Sequence, residues 1–408
     1  MQIYLVGGAV RDRQLRIPVK ERDWVVVGAK ENELEDLGYR RVGRSFPVYL
    51  HPETGEEYAL ARTETKTGPG YHGFDVDTNA NVTLEEDLGR RDLTINAMAE
   101  DTNGHIVDPY GGHKDLQNGL LRHVSDAFRE DPVRILRVAR FAARFANRGF
   151  RVADETIGLM CEMVAAGEAD ALIPERVWRE TESALAESHP EVFFEIMREV
   201  GALAVVYPEI EALFGVPQPA RWHPEIDTGI HVLMALRQAV LLSASAEARF
   251  AVLVHDLGKG ATPQAEWPNH HGHEELGVKL IVSLCERLGI PNRYRDLAIP
   301  VARYHGQCHR IRELRPKTVL GILESADAFR RPERFLEFMV ACESDARGRL
   351  GLEDQPYDQA VWLKNALDVA SKVTAAPFIQ EGMEANKIGD AIRRARINAI
   401  RKLKECEG

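Results

Sequence analysis

Residues 19–28, Val-Lys-Glu-Arg-Asp-Trp-Val-Val-Val-Gly, set Glu21 and Asp23 two positions apart at the front of an apolar run. In a strand, positions i and i+2 share a face. The spacing therefore predicts two carboxylates side by side, which repel unless a cation sits between them. The pair is either a metal site or a solvated strand end. Upstream, Tyr-Leu-Val-Gly-Gly-Ala-Val-Arg-Asp (4–12) puts Gly7 and Gly8 after a strand candidate. Glycines there let the backbone approach a phosphate, with helix N–H groups aimed at it. An ordinary strand-to-helix turn has the same appearance. Arg11 follows, where a guanidinium can hold a phosphate bidentately.

Two further stretches belong with these. The segment 85–99, Glu-Glu-Asp-Leu-Gly-Arg-Arg-Asp-Leu-Thr-Ile-Asn-Ala-Met-Ala, reads as a helix. Its polar front suits a phosphate or ribose, and equally a salt-bridged surface. In 130–151, Arg134, Arg137, Arg140 and Arg144 fall at spacings of 3, 3 and 4 after Pro132, lining one helix face. From 122 to 151 there are eight arginines against three acids, in a chain of net charge −11. Like charges on one face are costly without an anion along them, although a solvated basic face reads the same way. Together the parts assemble nucleotidyl transfer with pyrophosphate leaving: paired carboxylates for Mg²⁺, glycines and arginines for a triphosphate.

The C-terminal half carries a second set. His255-Asp256 closes an apolar helix, and His231, His270, His271, His273, His305, His309 and Asp345 gather in the same half. A lone His-Asp dipeptide is most often a buried, satisfied histidine. The series His231, His255-Asp256, His273, His305, Asp345 offers the ligand types of a divalent transition-metal site.

The elements that must position these groups divide the chain in two styles. Residues 1–110 read as mixed α/β, with strands at Ile3–Val6, Trp24–Val27, Val48–Leu50 and Glu57–Ala61. The Gly- and Pro-rich stretch 65–73 reads as a mobile loop. From Asp126 onward helical periodicity dominates, at 131–147, 153–166, 175–187, 190–200, 228–243, 274–288 and 316–328. Three prolines in 214–227 mark a boundary near 215–228, and 384–408 is basic and helical in pattern. With 408 residues the chain is too long for one ordinary core. No apolar run approaches a membrane span, and the start lacks the basic region of a signal peptide. Cys161, Cys285, Cys308, Cys342 and Cys406 form no CxxC pair, which argues against a zinc–thiolate site and for a reducing cytoplasm.

The motifs Leu-Val-Gly-Gly-Ala-Val-Arg-Asp with Glu-Arg-Asp, Arg-Arg-Asp-Leu-Thr-Ile-Asn-Ala-Met-Ala, and Glu-Asp-Pro-Val-Arg-Ile-Leu-Arg-Val-Ala-Arg-Phe resemble the signature motifs of class II tRNA nucleotidyltransferases. Within them the likeness is to the bacterial CCA-adding enzymes with an HD domain, and it runs over the full chain. Phe-Pro-Val-Tyr-Leu-His-Pro (46–52), Pro-Glu-Arg-Val-Trp-Arg-Glu (174–180) and 222–231 resemble that branch too. The resemblance implies an α+β architecture. It has a small α/β nucleotidyltransferase head (1–110), a nucleotide-selecting neck (111–150), a tRNA-binding helical body (151–227), an HD phosphohydrolase domain (228–350) and a helical tail (351–408).

It further implies that Gly8 and Arg11 contact the triphosphate, that Glu21 and Asp23 bind Mg²⁺, and that Arg91 with Asp92 holds ribose and phosphate. Asp131 and Arg134 read the base of CTP or ATP, and Arg137 and Arg140 complete the pocket. In the HD domain, His231, His255, Asp256 and Asp345 ligate Ni²⁺, Co²⁺ or Mn²⁺, while Lys259, His273 and His305 hold phosphate or a second metal. The activities implied are CCA addition to tRNA, and phosphatase, 2′-nucleotidase and 2′,3′-cyclic phosphodiesterase action. The expected setting is a cytoplasmic monomer or homodimer that grips the acceptor and T arms. One position departs: the family pattern is Asp-x-Asp, and this chain has Glu-x-Asp, which bears on rate and on the choice between Mg²⁺ and Mn²⁺. A poly(A) polymerase shares the head motifs. A phosphohydrolase with an inactive head follows if Glu21 abolishes metal binding.

Overall fold

The computed structural model describes residues 1–42, 48–66, 74–77 and 80–407. It forms two compact units, Met1–Val206 and Tyr207–Gly408, and the proline-bearing stretch 214–227 lies in the second. No helix among the described residues is long and apolar enough to cross a membrane.

In the first unit the chain runs β1 (Gln2–Val6), α1 (Gly8–Gln14), β2 (Asp23–Val27), α2 (Glu31–Asp36), β3 (Arg40–Val42), β4 (Val48–Leu50) and β5 (Glu57–Leu60). Next come β6 (Thr63–Lys66), β7 (Phe74–Asp77), α3 (Leu84–Gly89), β8 (Ala99–Glu100), β9 (Ile106–Val107), α4 (Gly112–Asn118) and β10 (Leu120–Leu121). It finishes with α5 (Val133–Phe145), β11 (Arg151–Val152), α6 (Asp154–Ala165), α7 (Pro174–Leu185), α8 (Pro190–Glu199) and α9 (Ala202–Val206).

Seven strands make one sheet in the order β3-β4-β5-β2-β1-β8-β9, with β2 and β5 parallel. The β-branched run of β2 sits near its centre because both faces are covered. Val25 packs with Val6, Leu88 and Ala97 on one side, and Val26 with Leu34, Tyr49 and Leu60 on the other. The β1–β2 register pairs Val6 with Asp23. That pairing sets Asp23 beside the glycine turn that ends β1. Gly7 adopts φ 67°, where an L side chain is strained, and an added Cβ would lie 2.9 Å from Arg91 Nη1 and displace that guanidinium.

Three expectations need correction. Glu21 precedes β2 and is not part of the strand, so strand alternation does not align it with Asp23. Segment 85–99 is not one helix. Helix α3 stops at Gly89, and a 3₁₀ turn over Thr94–Asn96 leads into β8. Beyond that stop, Asp92 accepts from its own neighbour's amide, Leu93 N, at 2.8 Å, a local bond that competes with helical pairing. In the expected mobile loop, Thr65 and Lys66 belong to β6, which pairs antiparallel with β7, and 67–73 lie outside the described residues.

The second unit is helical: α10 (Pro208–Glu211), α11 (Thr228–Leu241), α12 (Ala246–Val254), α13 (His273–Arg287), α14 (Asn292–Cys308), α15 (Pro316–Ser325), α16 (Pro332–Arg347), α17 (Asp358–Ser371), α18 (Ala376–Gln380) and α19 (Ala385–Glu407). Helix α14 escaped the periodicity reading because Pro300 lies inside it and His305 occupies a buried position. Helices α16 and α17 escaped it as well. Among the described residues α11, α12, α14 and α16 pack on one another, and their inner faces bring the histidines together.

Candidate functional site

An open cleft of about 810 Å³ lies in the first unit. Gly8, Arg11, Asp23, Arg91, Asp92, Asp131, Arg134, Arg137 and Arg140 all line it; Glu21 does not. Partial burial pushes the Asp23 carboxyl upward, Arg91 opposes this, and Glu21 adds to it. A divalent cation would reverse that strain, so these two acids fit one.

The arginine row of α5 is neutralised from outside the helix. Arg137 Nε donates to Asp92 Oδ2 at 2.7 Å, Arg140 Nε to Glu180 Oε2 at 2.6 Å, and Arg144 Nη2 to Asp12 Oδ2 at 3.0 Å. Arg134 donates instead to the carbonyls of Ala127 (2.7 Å) and Arg90 (2.5 Å). Burial alone would raise the Asp92 carboxyl. Arg137, Asn96 and the Leu93 amide outweigh it and hold Asp92 well below the usual carboxylate range. Arg11, 3% exposed, donates to Asp12 (2.8 Å) and to Asn96 (2.5 Å) and lies 5.0 Å from the Phe141 ring centre. Its burial lowers its affinity for the proton.

Sequence reasoning missed Arg176 and Glu180. Arg176 clamps Asp131 with both ends, Nη1 to Oδ1 at 3.0 Å and Nη2 to Oδ2 at 2.7 Å. The signal was available: Arg176 and Glu180 are one helical turn apart on α7, so one face carries both toward α5. The cleft thus combines a glycine turn, Asp23 at the start of the central strand β2, and guanidinium groups already fixed in orientation. That arrangement can bind a polyphosphate and present a charged edge to a base.

In the second unit His231, His255, Asp256, Lys259, His273, His305 and Asp345 converge. His231 lies on α11, His255 and Asp256 just past α12, His273 at the start of α13, His305 on α14 and Asp345 on α16. His231, His255, Asp256 and Asp345 are each at most 2% exposed. A backbone carbonyl oxygen only accepts, so the ring nitrogen facing one carries a proton. Nδ1 of His231 faces Glu225 Oε1 (3.0 Å) and Gly348 O (3.2 Å), and Nδ1 of His255 faces Val252 O (2.6 Å). Nδ1 of His273 faces His270 O (2.8 Å), and that of His305 faces Val301 O and Ala302 O (3.1 Å each). In the neutral ring that leaves all four Nε2 atoms to turn lone pairs inward.

They meet carboxylates: His231 Nε2 lies 3.0 Å from Asp345 Oδ1, and His255 Nε2 3.1 Å from Asp256 Oδ2. His273 and His305 Nε2 lie 3.6 and 3.5 Å from Asp256 Oδ1. His255 Nε2, His273 Nε2 and Asp256 Oδ1 are buried without a hydrogen-bond partner. Acceptors that converge in this way fit a divalent cation. Burial pushes His305 down to about 3, the neutral state a ligand needs. His255 is raised because Asp256 and Asp345 outweigh its burial, so the position attracts positive charge. Lys259 Nζ donates to Asp256 Oδ2 (2.6 Å) and Gln218 Oε1 (2.5 Å).

Residues 3–122 match the family described as Poly A polymerase head domain, 149–214 the Probable RNA and SrmB-binding site of polymerase A, and 228–331 the HD domain. A multifunctional CCA protein of Thioalkalivibrio sulfidiphilus is 63% identical over 404 residues, 99% of each chain. One of Nitrosococcus oceani is 60% identical over 407 residues, 100% of each. The solved Thermotoga maritima CCA-adding enzyme complexed with tRNA superposes with a TM-score of 0.64 at 17% identity, covering 100% of this chain and 92% of that one. A CCA-adding enzyme in complex with ATP gives 0.66 at 18% identity, covering 98% and 86%. At such identities the likeness is one of fold.

Proposed function

Because the chain belongs to the family of multifunctional CCA proteins, we propose that its first unit adds C, C and A to the 3′ end of tRNA. CTP and ATP are the donors, no template is used, and pyrophosphate leaves. The second unit is a divalent-metal phosphohydrolase acting on phosphate esters, 2′-phosphates and 2′,3′-cyclic phosphates at RNA ends. Metal dependence belongs to both domain types. Mg²⁺ in the head, Ni²⁺ or another transition metal in the HD domain, tRNA as partner, a monomer or homodimer, and a cytoplasmic setting complete the reading.

The observation that carries it is the cleft, where the Arg176–Asp131 clamp stands beside the anchored Arg134. Both Asp131 oxygens accept from Arg176, so the carboxylate presents an acceptor edge. It suits the amino group of C or A and repels the carbonyl that U and G present there. Arg134 supplies the donor for the ring nitrogen beside it. The other guanidinium groups neutralise the triphosphate, and the Gly7–Gly8 turn lets it approach the backbone. Glu21 and Asp23 would hold Mg²⁺, which when bound neutralises phosphate charge and activates the attacking hydroxyl. In the second unit His231, His255, Asp256 and Asp345 would hold the metal, which when bound supplies a hydroxide at neutral pH. Lys259, His273 and His305 line the place where a phosphate oxygen would bind.

The test is nucleotide addition to tRNA transcripts ending before the CCA, after the first C and after the second C. The four NTPs are supplied singly and together, with Mg²⁺ and then Mn²⁺. Two C additions, one A and a stop are expected. Tailing with A alone would reassign the head to poly(A) synthesis. No addition with either metal beside a live phosphodiesterase would leave the HD domain as the function.

A further inference from the structure

His309, one turn beyond His305 at the end of α14, faces the same cluster with the opposite protonation. Its Nε2 lies 2.7 Å from Asp345 Oδ2, and its Nδ1 lies 3.1 Å from the Tyr357 hydroxyl. A carboxylate oxygen only accepts. The nitrogen facing it must therefore carry the proton, which leaves Nδ1 to accept from the Tyr357 O–H. The other four histidines set Nδ1 against a backbone carbonyl, which claims the N–H there, so a neutral ring offers its Nε2 lone pair inward. His309 turns an N–H to the acid and has no lone pair there to offer.

We propose that His309 is a positioning residue for the metal centre. Its Nε2–H holds Asp345 Oδ2, so that Oδ1, 3.0 Å from His231 Nε2, faces the cation. Tyr357, 8% exposed on the segment leading into α17, fixes the tautomer of His309. Gln359 Nε2 donates to the His309 carbonyl at 3.2 Å and holds the backbone. The chain is thus Tyr357 to His309 to Asp345 to metal, an outer shell of the kind whose loss weakens binding about 10–100-fold. The inference rests on reading the cluster as a cation site.

The experiment is Mn²⁺ binding to the full-length, metal-stripped protein, followed by electron paramagnetic resonance of the free ion. Wild type, His309→Ala, His309→Gln, Tyr357→Phe and His255→Ala are compared, each with a thermal melt of the metal-free form. Glutamine places an amide N–H where Nε2–H stands. His309→Ala is expected to bind about 10–100-fold more weakly, His309→Gln to recover most of the loss, and Tyr357→Phe to fall between. Unchanged binding in His309→Ala would overturn the inference. So would a loss as complete as in His255→Ala that glutamine does not rescue, since His309 would then be a ligand. If His309→Ala does not fold, equal binding by Tyr357→Phe and wild type overturns it. Absence of Mn²⁺ binding in wild type would instead remove the underlying metal reading and the inference with it.

Discussion

Ten arginines and three aspartates line the cleft of the first unit, whereas the cluster of the second unit gathers four imidazole Nε2 atoms around two aspartates. In the cleft the cations of α5 have been paired off, chiefly with acids from other elements: Asp92, Glu180 and Asp12. In the cluster the acceptors have few donors among the described residues, and three buried polar atoms have no partner. The contrast teaches two ways of preparing a site for phosphate chemistry. The cleft fixes the orientation of its guanidinium groups in advance and stays stable empty. The cluster keeps an unfilled demand for positive charge, which makes it metal-dependent.

The largest effects should separate the two regions outright. Asp256→Ala should lower hydrolysis of 2′,3′-cyclic AMP by about a thousandfold, since a bound metal contributes several kcal/mol to the barrier. CCA addition by the same protein should be unchanged. Asp23→Ala should give the mirror image. Loss of both activities in either variant would mean the regions do not act separately.

The next effect concerns stability. Arg137→Met leaves Asp92 buried without its cation. Such a loss costs about 3–5 kcal/mol at a fully buried pair. With the Arg137 side chain 35% exposed, solvent screening reduces it to about 2–3 kcal/mol. Urea unfolding checks this, and pH sharpens it. The folded-state affinity of Asp92 for protons is depressed. Its contribution is therefore present above the ordinary carboxylate pKa near ~3.9 and is lost as pH falls below it. Arg137→Met should show a shallower loss between about pH 4 and 2 than wild type. An equally steep acid limb would show that Arg137 does not set the Asp92 charge.

A smaller effect is expected on selectivity. Arg176→Ala frees Asp131 from its clamp and should raise UTP misincorporation relative to CTP about tenfold, the scale of one well-placed polar contact. Phosphodiesterase activity should not move. The smallest effect is a shift in metal preference. Glu21→Asp shortens the side chain by one methylene and should change the ratio of Mg²⁺- to Mn²⁺-supported addition by roughly a few-fold. An unchanged ratio would show that Glu21 reaches the ion without strain.

Much of the candidate site was legible because chemistry constrains residue type over short spans. Glycines at a turn, acids two apart, and a His-Asp step can be seen without knowing the fold. What the linear pattern could not convey was who neutralises whom. The arginine row argued for a bound anion because its counter-charges are distant: Asp92 stands 45 residues from Arg137, and Asp12 stands 132 from Arg144. The continuous polar pattern of 85–99 hid a helix stop, since periodicity cannot register Asp92 capturing the Leu93 amide.

By itself the sequence determined the two chemistries, the α/β head followed by helices, and nearly every residue that the cleft and the cluster bring together, because local order and residue type suffice for these. Only the tertiary structure decided which nitrogen of each histidine faces inward, that Asp131 is clamped by Arg176, and that His309 sits between Asp345 and the Tyr357 hydroxyl. Those are properties of hydrogen bonds between elements far apart in the chain. The proton on an imidazole goes to whichever nitrogen meets an acceptor, and packing alone determines which one that is.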